Sequence, residues 1–433
     1  MSAGSVAPKP PAPEGIEVVN FGCRLNLVEG EAMRRAAVAA GRRDLAIVNT
    51  CGVTGEAVRQ ARQTIRRLKR EAPARGIVVT GCAAEMEPGG FSAMPEVDGL
   101  VGNGVKTARE TWLGGQEAWL GGTKTWLGGT ADLDSGRSPL EEGFEDHTRA
   151  FLAVQNGCDH RCTFCAIPFG RGVSRSAPLA EVTAAAVRLV DRGFHEIVLT
   201  GVDLTSYGAD LPERPVLGTL VRAILESAPG LARLRLSSID CIEADAELLA
   251  AFAGEERLMP YLHLSLQSGD DMILKRMKRR HTRADAVALC EELRRLRPDM
   301  TFGADLIAGF PTETEDMAAQ TLALIEDCGL TFLHVFPFSP RPGTPAAKMP
   351  PVPSNLVRER ARRLREAGDA ALRRHLRGRI GRTLLVLAER GGIGRAPDFT
   401  PVSIGRAKPG SFTKVAVAGH DGRKLFGKCL DDI

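Results

Sequence analysis

The stretch FLAVQNGCDHRCTFC, residues 151–165, decides the fold of the central part of this chain. Its first five residues are mostly apolar and predict a buried strand, and three cysteines follow with the spacing Cys158-x3-Cys162-x2-Cys165. Three thiolates this close in sequence can wrap one loop around three irons of a [4Fe-4S] cluster. The fourth iron has no ligand in this motif, so it is free to bind a second molecule.

Zinc is the alternative occupant of a cysteine cluster of this kind. A structural zinc site needs a fourth Cys or His close by, and His160 lies inside the turn between the cysteines, where it is poorly placed as a ligand. The soft thiolates and their spacing therefore favour an iron-sulfur cluster over zinc.

Downstream of this motif, strand-like segments alternate with amphipathic segments. Helical spacing of apolar residues occurs at 179–192 and 283–296, and Gly- or Pro-containing turns separate the elements. Six strand-then-helix units predict a parallel α/β barrel or partial barrel, in which chemistry lies at the C-terminal ends of the strands. The five predicted strands after the first are 196–201, 233–239, 261–267, 301–310 and 332–339.

Three other cysteines each follow a predicted strand of their own near the N-terminus. Cys23, Cys51 and Cys82 end the segments 16–23, 45–53 and 76–84, and an amphipathic helix is predicted over 55–76. This pattern predicts a small parallel α/β domain, in which the ends of neighbouring strands bring the thiols together as a second three-ligand cluster site. Buried structural cysteines are the alternative, but the same context occurs three times. The remaining cysteines, Cys241, Cys290, Cys328 and Cys429, are predicted to pack in cores.

The WLGG sequence occurs three times, at Trp112, Trp119 and Trp126, in a Gly/Thr-rich stretch. No helix or strand periodicity is present there, which predicts an inserted linker over 111–147. Stacking of these indoles on nucleic-acid bases is the alternative. Residues 1–15 are rich in Pro and Ala and predict a disordered tail.

The basic residues are concentrated at the C-terminal end. From residue 341 onward there are 20 Lys and Arg against 8 Asp and Glu, whereas the whole chain has a net charge of only +4. A basic helix is predicted over 356–376, within a helical segment 351–380, and a small all-β module over 381–433. Such a region is typical of polyanion binding, with a solvated charged helix as the alternative. Three strands of the module are visible, at 382–389, 399–404 and 412–419.

The composition is that of a globular protein with several domains. The chain has 433 residues, of which 43% are hydrophobic and 25% charged, and ten are cysteines. No apolar run approaches the ~18 residues that a membrane span requires, and no secretory signal is evident, so we expect a cytoplasmic protein without a membrane partner. Cytoplasmic thiols stay reduced, which favours metal binding or catalysis over disulfides.

The motif at 158–165 resembles that of the radical S-adenosylmethionine (SAM) enzymes. The resemblance implies that the open iron binds the cofactor's amino and carboxylate groups, and that one electron cleaves the cofactor to a 5′-deoxyadenosyl radical. It also implies a set of cofactor contacts at strand ends and in the segment GADLIAGFPTE: Gly201, Val202, Asp203, Ser237, Gln267, Gly303 and Gly309.

Both cysteine trios together resemble the methylthiotransferase family over nearly the whole chain. The contexts are NFGCRLN, VNTCGVTGEA and VTGCAAE for the first trio. The resemblance implies an iron-sulfur domain at 16–110, a radical SAM partial (β/α)6 barrel at 148–350 and an RNA-binding TRAM-like barrel at 381–433, an α/β fold with two [4Fe-4S] clusters and SAM. The six cysteines are then the metal ligands.

Several segments are similar to one branch, which modifies N6-threonylcarbamoyladenosine at position 37 of tRNA. They include RLSSID, HLSLQSGDD and HVFPFSPRPGTPA. The branches that act on N6-isopentenyladenosine or on a ribosomal-protein aspartate share both trios and remain alternatives, as does a non-catalytic iron-sulfur RNA-binding redox sensor. Departures from the family pattern are Thr312 at a usual Gly position, Asp240-Cys241 in place of Glu-Pro, and the WLGG repeats.

The resemblance also implies partners and a division of labour. The first trio carries sulfur, and the radical formed at the second removes hydrogen from adenine C2, so no acid-base catalytic residue is expected. The expected partners are tRNA, an electron donor such as flavodoxin or ferredoxin, and a sulfur donor. Arginines expected to neutralise phosphates are Arg358, Arg360, Arg362, Arg363, Arg365, Arg373, Arg374 and Arg377.

Overall fold

A five-stranded parallel sheet organises the N-terminal part of the computed structural model, which describes residues 15–113, 126–127, 140 and 147–432. The chain divides into two units, the first of which contains residues up to 136 together with 169–171. In the first unit the strands follow one another in chain order: β1 Ile16–Asn20, β2 Leu45–Thr50, β3 Gly76–Gly81, β4 Gly99–Val101 and β5 Trp126–Leu127. The predicted parallel α/β fold is confirmed.

Four helices accompany this sheet: α1 Arg24–Ala39, α2 Gly55–Glu71, α3 Cys82–Met86 and α4 Pro88–Ser92. Helix α2 begins at a capping residue, Thr54, whose hydroxyl accepts the Ala57 amide at 3.2 Å. Its apolar stripe, which includes Val58, Ile65 and Leu68, is buried against the sheet core. The helical spacing seen in the sequence is therefore the buried face of this helix.

Trp112 lies in the core of the first unit. Its indole Nε1 donates a 2.9 Å hydrogen bond to the Lys106 carbonyl, and the side chain is fully buried. Base stacking by this indole is therefore ruled out, and the folded unit extends past the predicted boundary at 110. Trp126 begins β5, which pairs with β4. Trp119 and residues 1–14 lie outside the described residues.

Six parallel strands organise the second unit, as predicted. The strands β6 Ala150–Ala153, β9 Glu196–Thr200 and β10 Arg233–Leu236 form one sheet, and β11 Tyr261–Gln267, β12 Thr301–Ala308 and β13 Leu330–Pro337 form another. Two isolated parallel bridges connect the two sheets. One joins Leu234 of β10 to Leu258, which precedes β11, and the other joins Ile239, which follows β10, to Leu264 of β11. The short strands β7 Gln155–Asn156 and β8 Arg175–Ser176 pair with each other near the first cysteine of the loop.

The helices of the second unit follow the predicted alternation. They are α5 Ile167–Arg171, whose last three residues belong to the first unit, α6 Leu179–Asp191, α7 Leu217–Ser227, α8 Ala246–Gly254, α9 Asp271–Arg276, α10 Arg283–Leu296, α11 Glu315–Asp327 and α12 Ser354–Arg377. Cys241, Cys290 and Cys328 lie in the hydrophobic core of this unit, as predicted. Among the described helices, none combines the length and the apolar character that crossing a bilayer requires.

A closed five-stranded barrel ends the chain. Its strands are β14 Thr383–Ala388, β15 Ile393–Arg395, β16 Pro401–Ser403, β17 Phe412–His420 and β18 Leu425–Asp432. The three predicted strands are present, and β15 and β18 complete the barrel. Gly427 on β18 is required for closure, because a Cβ there would lie 2.0 Å from the Ala416 carbonyl oxygen.

Buried arginines join this barrel to the parallel strands of the same unit. Arg235 pairs with Glu196 at 3.0 Å and donates to the Pro397 carbonyl at 2.8 Å. Arg233 donates to the Leu385 and Arg395 carbonyls at 2.7 and 3.0 Å. Deleting residues 381–433 would remove the carbonyl acceptors of both arginines and leave only Glu196 as their partner, so single surface substitutions are the cleaner test of the barrel's function.

Candidate iron-sulfur and cofactor sites

The first cysteine trio lies at the C-terminal edge of the five-stranded sheet. Cys51 follows β2 directly, Cys82 follows β3 directly, and Cys23 caps the start of α1. A Cβ at Gly22 would lie 2.6 Å from the Cys51 Sγ, and one at Gly52 would lie 3.3 Å from the Cys82 Cβ. The two glycines therefore allow the three cysteine loops to approach one another.

The thiols of this trio are close enough to perturb one another electrostatically. Burial, followed by the neighbouring Cys82 and Cys23 thiolates, raises the pKa of Cys51 to about 12. Cys51 and Cys82 are buried, whereas Cys23 is exposed. The site is therefore open on the side of Cys23, and a positive ion or cluster is what such a group of thiolates requires.

A buried charge network lies beside the first trio. Glu29 accepts hydrogen bonds from Arg171 at 2.7 and 3.0 Å and from Lys106 Nζ at 2.7 Å. Burial alone would lower the pKa of Arg171, but Cys82, Glu29 and Cys23 hold it well above its ordinary value. Asn26 Oδ1 accepts a further bond from Arg171 at 2.6 Å. A fixed cation beside three thiolates suits a negatively charged iron-sulfur cluster.

No local pattern in the sequence indicates this network. Arg171 is 142 residues from Glu29, and Lys106 is 77 residues from it. Only the three-dimensional fold brings these side chains together, and their burial is what identifies them as functional candidates.

The second cysteine trio occupies the loop after β6 and β7. The Cys158 amide donates to the Gly172 carbonyl at 3.1 Å, and the Cys165 amide donates to the Cys162 carbonyl at 3.0 Å. Burial raises the pKa of Cys158, Asp203 adds to the effect, and Cys165 and Cys162 add further. The three thiols are therefore close enough to affect one another electrostatically, and their role as ligands of an open cluster stays a prediction.

The loop after β9 holds the second trio's loop in place. The Val202 and Asp203 amides, next to Gly201, both donate to Gln155 Oε1, at 3.0 and 2.8 Å. The Asp203 carboxylate lies 2.8 Å from His160 Nε2 and 3.7 Å from Cys158 Sγ. Hydrogen bonds with Asp203 and then Glu243 raise the pKa of His160 to about 10.

Three more of the predicted cofactor residues lie at strand ends of this unit. Ser237 follows β10, and within the described residues its buried hydroxyl has no hydrogen-bond partner. Gln267 ends β11 with a φ of 68°, and Gly309 follows β12 with a φ of 72°. A buried hydroxyl without a partner at this edge fits a polar ligand such as the amino-acid part of SAM.

Gly303 does not join this edge, because it lies five residues before the end of β12. A Cβ there would lie 2.4 Å from the Tyr261 hydroxyl and 2.6 Å from His263 Nδ1. The glycine therefore makes room for two neighbouring side chains, and its position does not support the expected cofactor contact.

Asp240, one of the two residues that differ from the family's Glu-Pro pattern, lies close to the second trio. Asp240 Oδ2 accepts a 2.8 Å hydrogen bond from Arg279, whose Nη1 lies 3.8 Å from Cys162 Sγ. The carboxylate thus orients a cation towards a predicted cluster ligand, a role that the sequence pattern alone did not indicate.

Thr312 adopts a backbone conformation that favours glycine. Its φ is 69°, and Arg276 Nη1 donates to its hydroxyl at 2.8 Å. Thr312→Gly should change the free energy of unfolding by less than about 0.5 kcal/mol, because relief of strain offsets loss of the hydrogen bond. Thr312→Ala keeps the strain and loses the bond, so we expect a loss of about 1 kcal/mol. Urea unfolding measures the free energies of unfolding of the two variants. Equal stability of Thr312→Ala and Thr312→Gly would contradict this prediction.

The expected phosphate contacts on α12 require correction. Arg360 is buried and donates to the Glu313 carbonyl at 3.0 Å, so it holds the helix to the loop after β12. Arg362 pairs with Glu359 and Glu366. Arg363, Arg365 and Arg374 also have protein partners. In the described part of the chain, the arginines of this helix without a side-chain partner are Arg358, Arg373 and Arg377, all exposed.

Two family models match the chain. The model described as Radical SAM superfamily matches residues 152–325, and Uncharacterized protein family UPF0004 matches residues 16–102. A solved structure with the same fold is the radical S-adenosylmethionine methyltransferase TsrM from Kitasatospora setae, with a TM-score of 0.51 and 16% identity over 75% of this chain and 68% of that chain.

Curated relatives extend over most of the chain. A protein from Rickettsia prowazekii named threonylcarbamoyladenosine tRNA methylthiotransferase MtaB is 45% identical over 90% of this chain and 91% of its own. Its namesake from Thermotoga maritima is 35% identical over 86% of each chain. A tRNA-2-methylthio-N(6)-dimethylallyladenosine synthase from Erythrobacter litoralis is 32% identical over 98% of each chain.

Proposed function

The chain belongs to the threonylcarbamoyladenosine tRNA methylthiotransferase family within the radical SAM superfamily, and from this premise we propose that it adds a 2-methylthio group to N6-threonylcarbamoyladenosine at position 37 of tRNA. Enzymes of this kind use SAM and [4Fe-4S] clusters. The observation that carries the proposal is the presence of two separate three-cysteine sites, each at the C-terminal ends of parallel strands. Radical formation alone needs one such site; sulfur delivery accounts for the second.

The chain's own residues have distinct tasks in this reaction. SAM held at the second trio would supply a radical able to remove the hydrogen from adenine C2, which has no acidic proton for a base to remove, and a second SAM would supply the methyl group. Cys158, Cys162 and Cys165 hold that site, and Gln155 and Asp203 keep its loop in place. Cys23, Cys51 and Cys82 are assigned to sulfur delivery. We propose further that a flavodoxin or ferredoxin reduces the enzyme and that a separate donor restores the sulfur, in the cytoplasm.

The nucleoside is tested by mass spectrometry of tRNA digests from a deletion strain. We expect loss of the 2-methylthio mark from the threonylcarbamoyl nucleoside alone, restored by the wild-type gene. Loss from the isopentenyl nucleoside would identify the branch of the Erythrobacter relative. If the purified protein forms no 5′-deoxyadenosine with dithionite and SAM, the redox-sensor alternative is supported.

The outer face of β17 and β18 suits single-stranded RNA. Phe426 is 45% exposed, and its ring lies over Gly419, where a Cβ would be 2.7 Å from the ring. Lys414 and Lys428 are exposed on the same two strands. An aromatic ring with neighbouring lysines can stack a base and neutralise phosphates.

Phe426→Ala should weaken tRNA binding about 10-fold, because stacking on an aromatic side chain contributes ~1–3 kcal/mol per base. Lys414→Ala with Lys428→Ala should lower the slope of log affinity against log salt by roughly 0.7–1 per lysine. Filter binding at several salt concentrations measures both. Arg192→Ala, an exposed arginine distant in sequence, is the control. Unchanged affinity in all barrel variants would contradict this surface.

A further inference from the structure

Two imidazoles and one carboxylate converge on three adjacent strands of the second unit. His263 Nε2 lies 3.0 Å from Asp305 Oδ1, and His334 Nδ1 lies 3.1 Å from the same oxygen. One ligand atom from each of the three residues lies within 4.8 Å of the others. The centroids of the His263 and His334 rings are 4.7 Å apart. None of these residues has a task in the proposed reaction.

The strand register explains the convergence. Asp305 on the central strand β12 lies opposite His334 on β13, and His263 on β11 lies opposite Gly303, two residues earlier. Successive residues of a strand point to opposite faces, so His263 and Asp305 share one face while Leu264 and Leu306 pack in the core on the other. Because Gly303 has no side chain, the imidazole of His263 has the space it needs.

These donors suit a divalent transition metal better than an ordinary structural network. Two histidines and one carboxylate on one side of an ion leave its other positions open, an arrangement used for Fe²⁺ and related metals. The second nitrogen of His263, Nδ1, lies 3.0 Å from the Tyr261 hydroxyl. An outer hydrogen bond of this kind fixes the ring orientation of metal-binding histidines.

The charge and exposure of the group also fit an ion. Within the described residues, Asp305 has no Lys or Arg partner to neutralise it. The His334 side chain is 63% exposed and that of Asp305 26%, which gives an ion a path from solvent.

We propose that His263, Asp305 and His334 bind one divalent transition-metal ion, in a site separate from the six cysteines of the two trios. The remaining positions on the ion accept water or an oxygen ligand. This inference is independent of the proposed function.

The test is titration of the tRNA-free holoenzyme, with its clusters oxidised, with Mn²⁺ followed by electron paramagnetic resonance. Mn²⁺ suits the carboxylate and water oxygens expected at this site, and the soft thiolates compete little for it. We expect one tightly bound Mn²⁺ per chain, and at least about 10-fold weaker binding in His334→Ala and Asp305→Asn. Tyr261→Phe, which removes only the outer hydrogen bond, should weaken binding about 10-fold.

His420→Ala is the matched control, because this imidazole accepts a bond from the Gly422 amide in the C-terminal barrel and lies outside the group. Its Mn²⁺ affinity should equal that of the wild type. His334 is exposed, so its replacement leaves the fold intact, and circular dichroism verifies this. Equal Mn²⁺ binding by wild type, His334→Ala and Asp305→Asn, or none by the wild type, would overturn the proposal and leave a hydrogen-bonded network.

Discussion

Replacement of Cys158, Cys162 or Cys165 by Ala is expected to abolish 5′-deoxyadenosine formation, whereas replacement of Cys23, Cys51 or Cys82 leaves it and abolishes only methylthiolation. The reason is that each trio lies at the edge of a different sheet, and we propose that each serves a different step of the reaction. We expect a fall of at least about 100-fold in the affected activity, because removing a ligand leaves an iron of the cluster unheld. Anaerobic assays of 5′-deoxyadenosine and of modified nucleoside measure the two steps separately.

Iron content gives an independent reading of the same variants. Two [4Fe-4S] clusters contain roughly eight irons per chain, and each trio variant should retain roughly four. Cys429→Ala is the control, because this cysteine packs against the core of the C-terminal barrel and lies in neither trio. Loss of 5′-deoxyadenosine in a first-trio variant with intact iron at the second trio would contradict the division of labour.

Glu29→Gln should destabilise the first unit by about 3–5 kcal/mol, because it leaves Arg171 and Lys106 buried without a counter-charge. All three tryptophans of the chain precede residue 127, so tryptophan fluorescence during urea unfolding reports on this unit. Glu31→Gln, on the same helix, is the matched control, since Glu31 pairs with the more exposed Arg34 and should have a smaller effect.

The pH dependence of this unit tests the same carboxylate. Burial raises the pKa of Glu29, but Arg171 and Lys106 lower it overall, to about 2, from an ordinary value of 4.5. A carboxyl whose pKa is lowered by folding stabilises the protein above its unfolded pKa and loses that contribution as the pH falls. The wild type should therefore lose about 3 kcal/mol between pH 4.5 and 2, and Glu29→Gln should lack this part of the slope. Parallel acid-unfolding curves for the two proteins would contradict the assignment.

The sequence predicted those features that depend on local pattern. The six strands of the second unit and helices such as α10 were recognised from apolar periodicity. The assignment of both cysteine trios as cluster ligands, the first from its position after strands and the second from its spacing, stays a prediction. Strand β15 has only three residues and β18 contains Gly and charged residues, so neither has a strand-like pattern. The barrel's closure depends on pairing between distant segments, which periodicity does not reveal.

Side-chain roles that depend on distant contacts were predicted less well. Arg360 was expected to contact phosphate, yet it lies on the buried side of α12 against Glu313. Gly303 was expected to contact a cofactor, but its lack of a side chain leaves space for the side chains of Tyr261 and His263. In each case the sequence indicated that the residue type matters at that position. Its role depends on contacts with neighbouring elements, which the sequence pattern does not reveal.

The joint between the C-terminal barrel and the parallel strands has a consequence for protein engineering. Arg233 and Arg235 bind backbone carbonyl oxygens of the barrel, at Leu385, Arg395 and Pro397, and every amino acid supplies such an oxygen. The joint therefore constrains the path of the barrel's main chain and leaves its outward side chains free to vary. A chimera carrying a foreign barrel of the same trace should assemble and take its RNA preference from the graft.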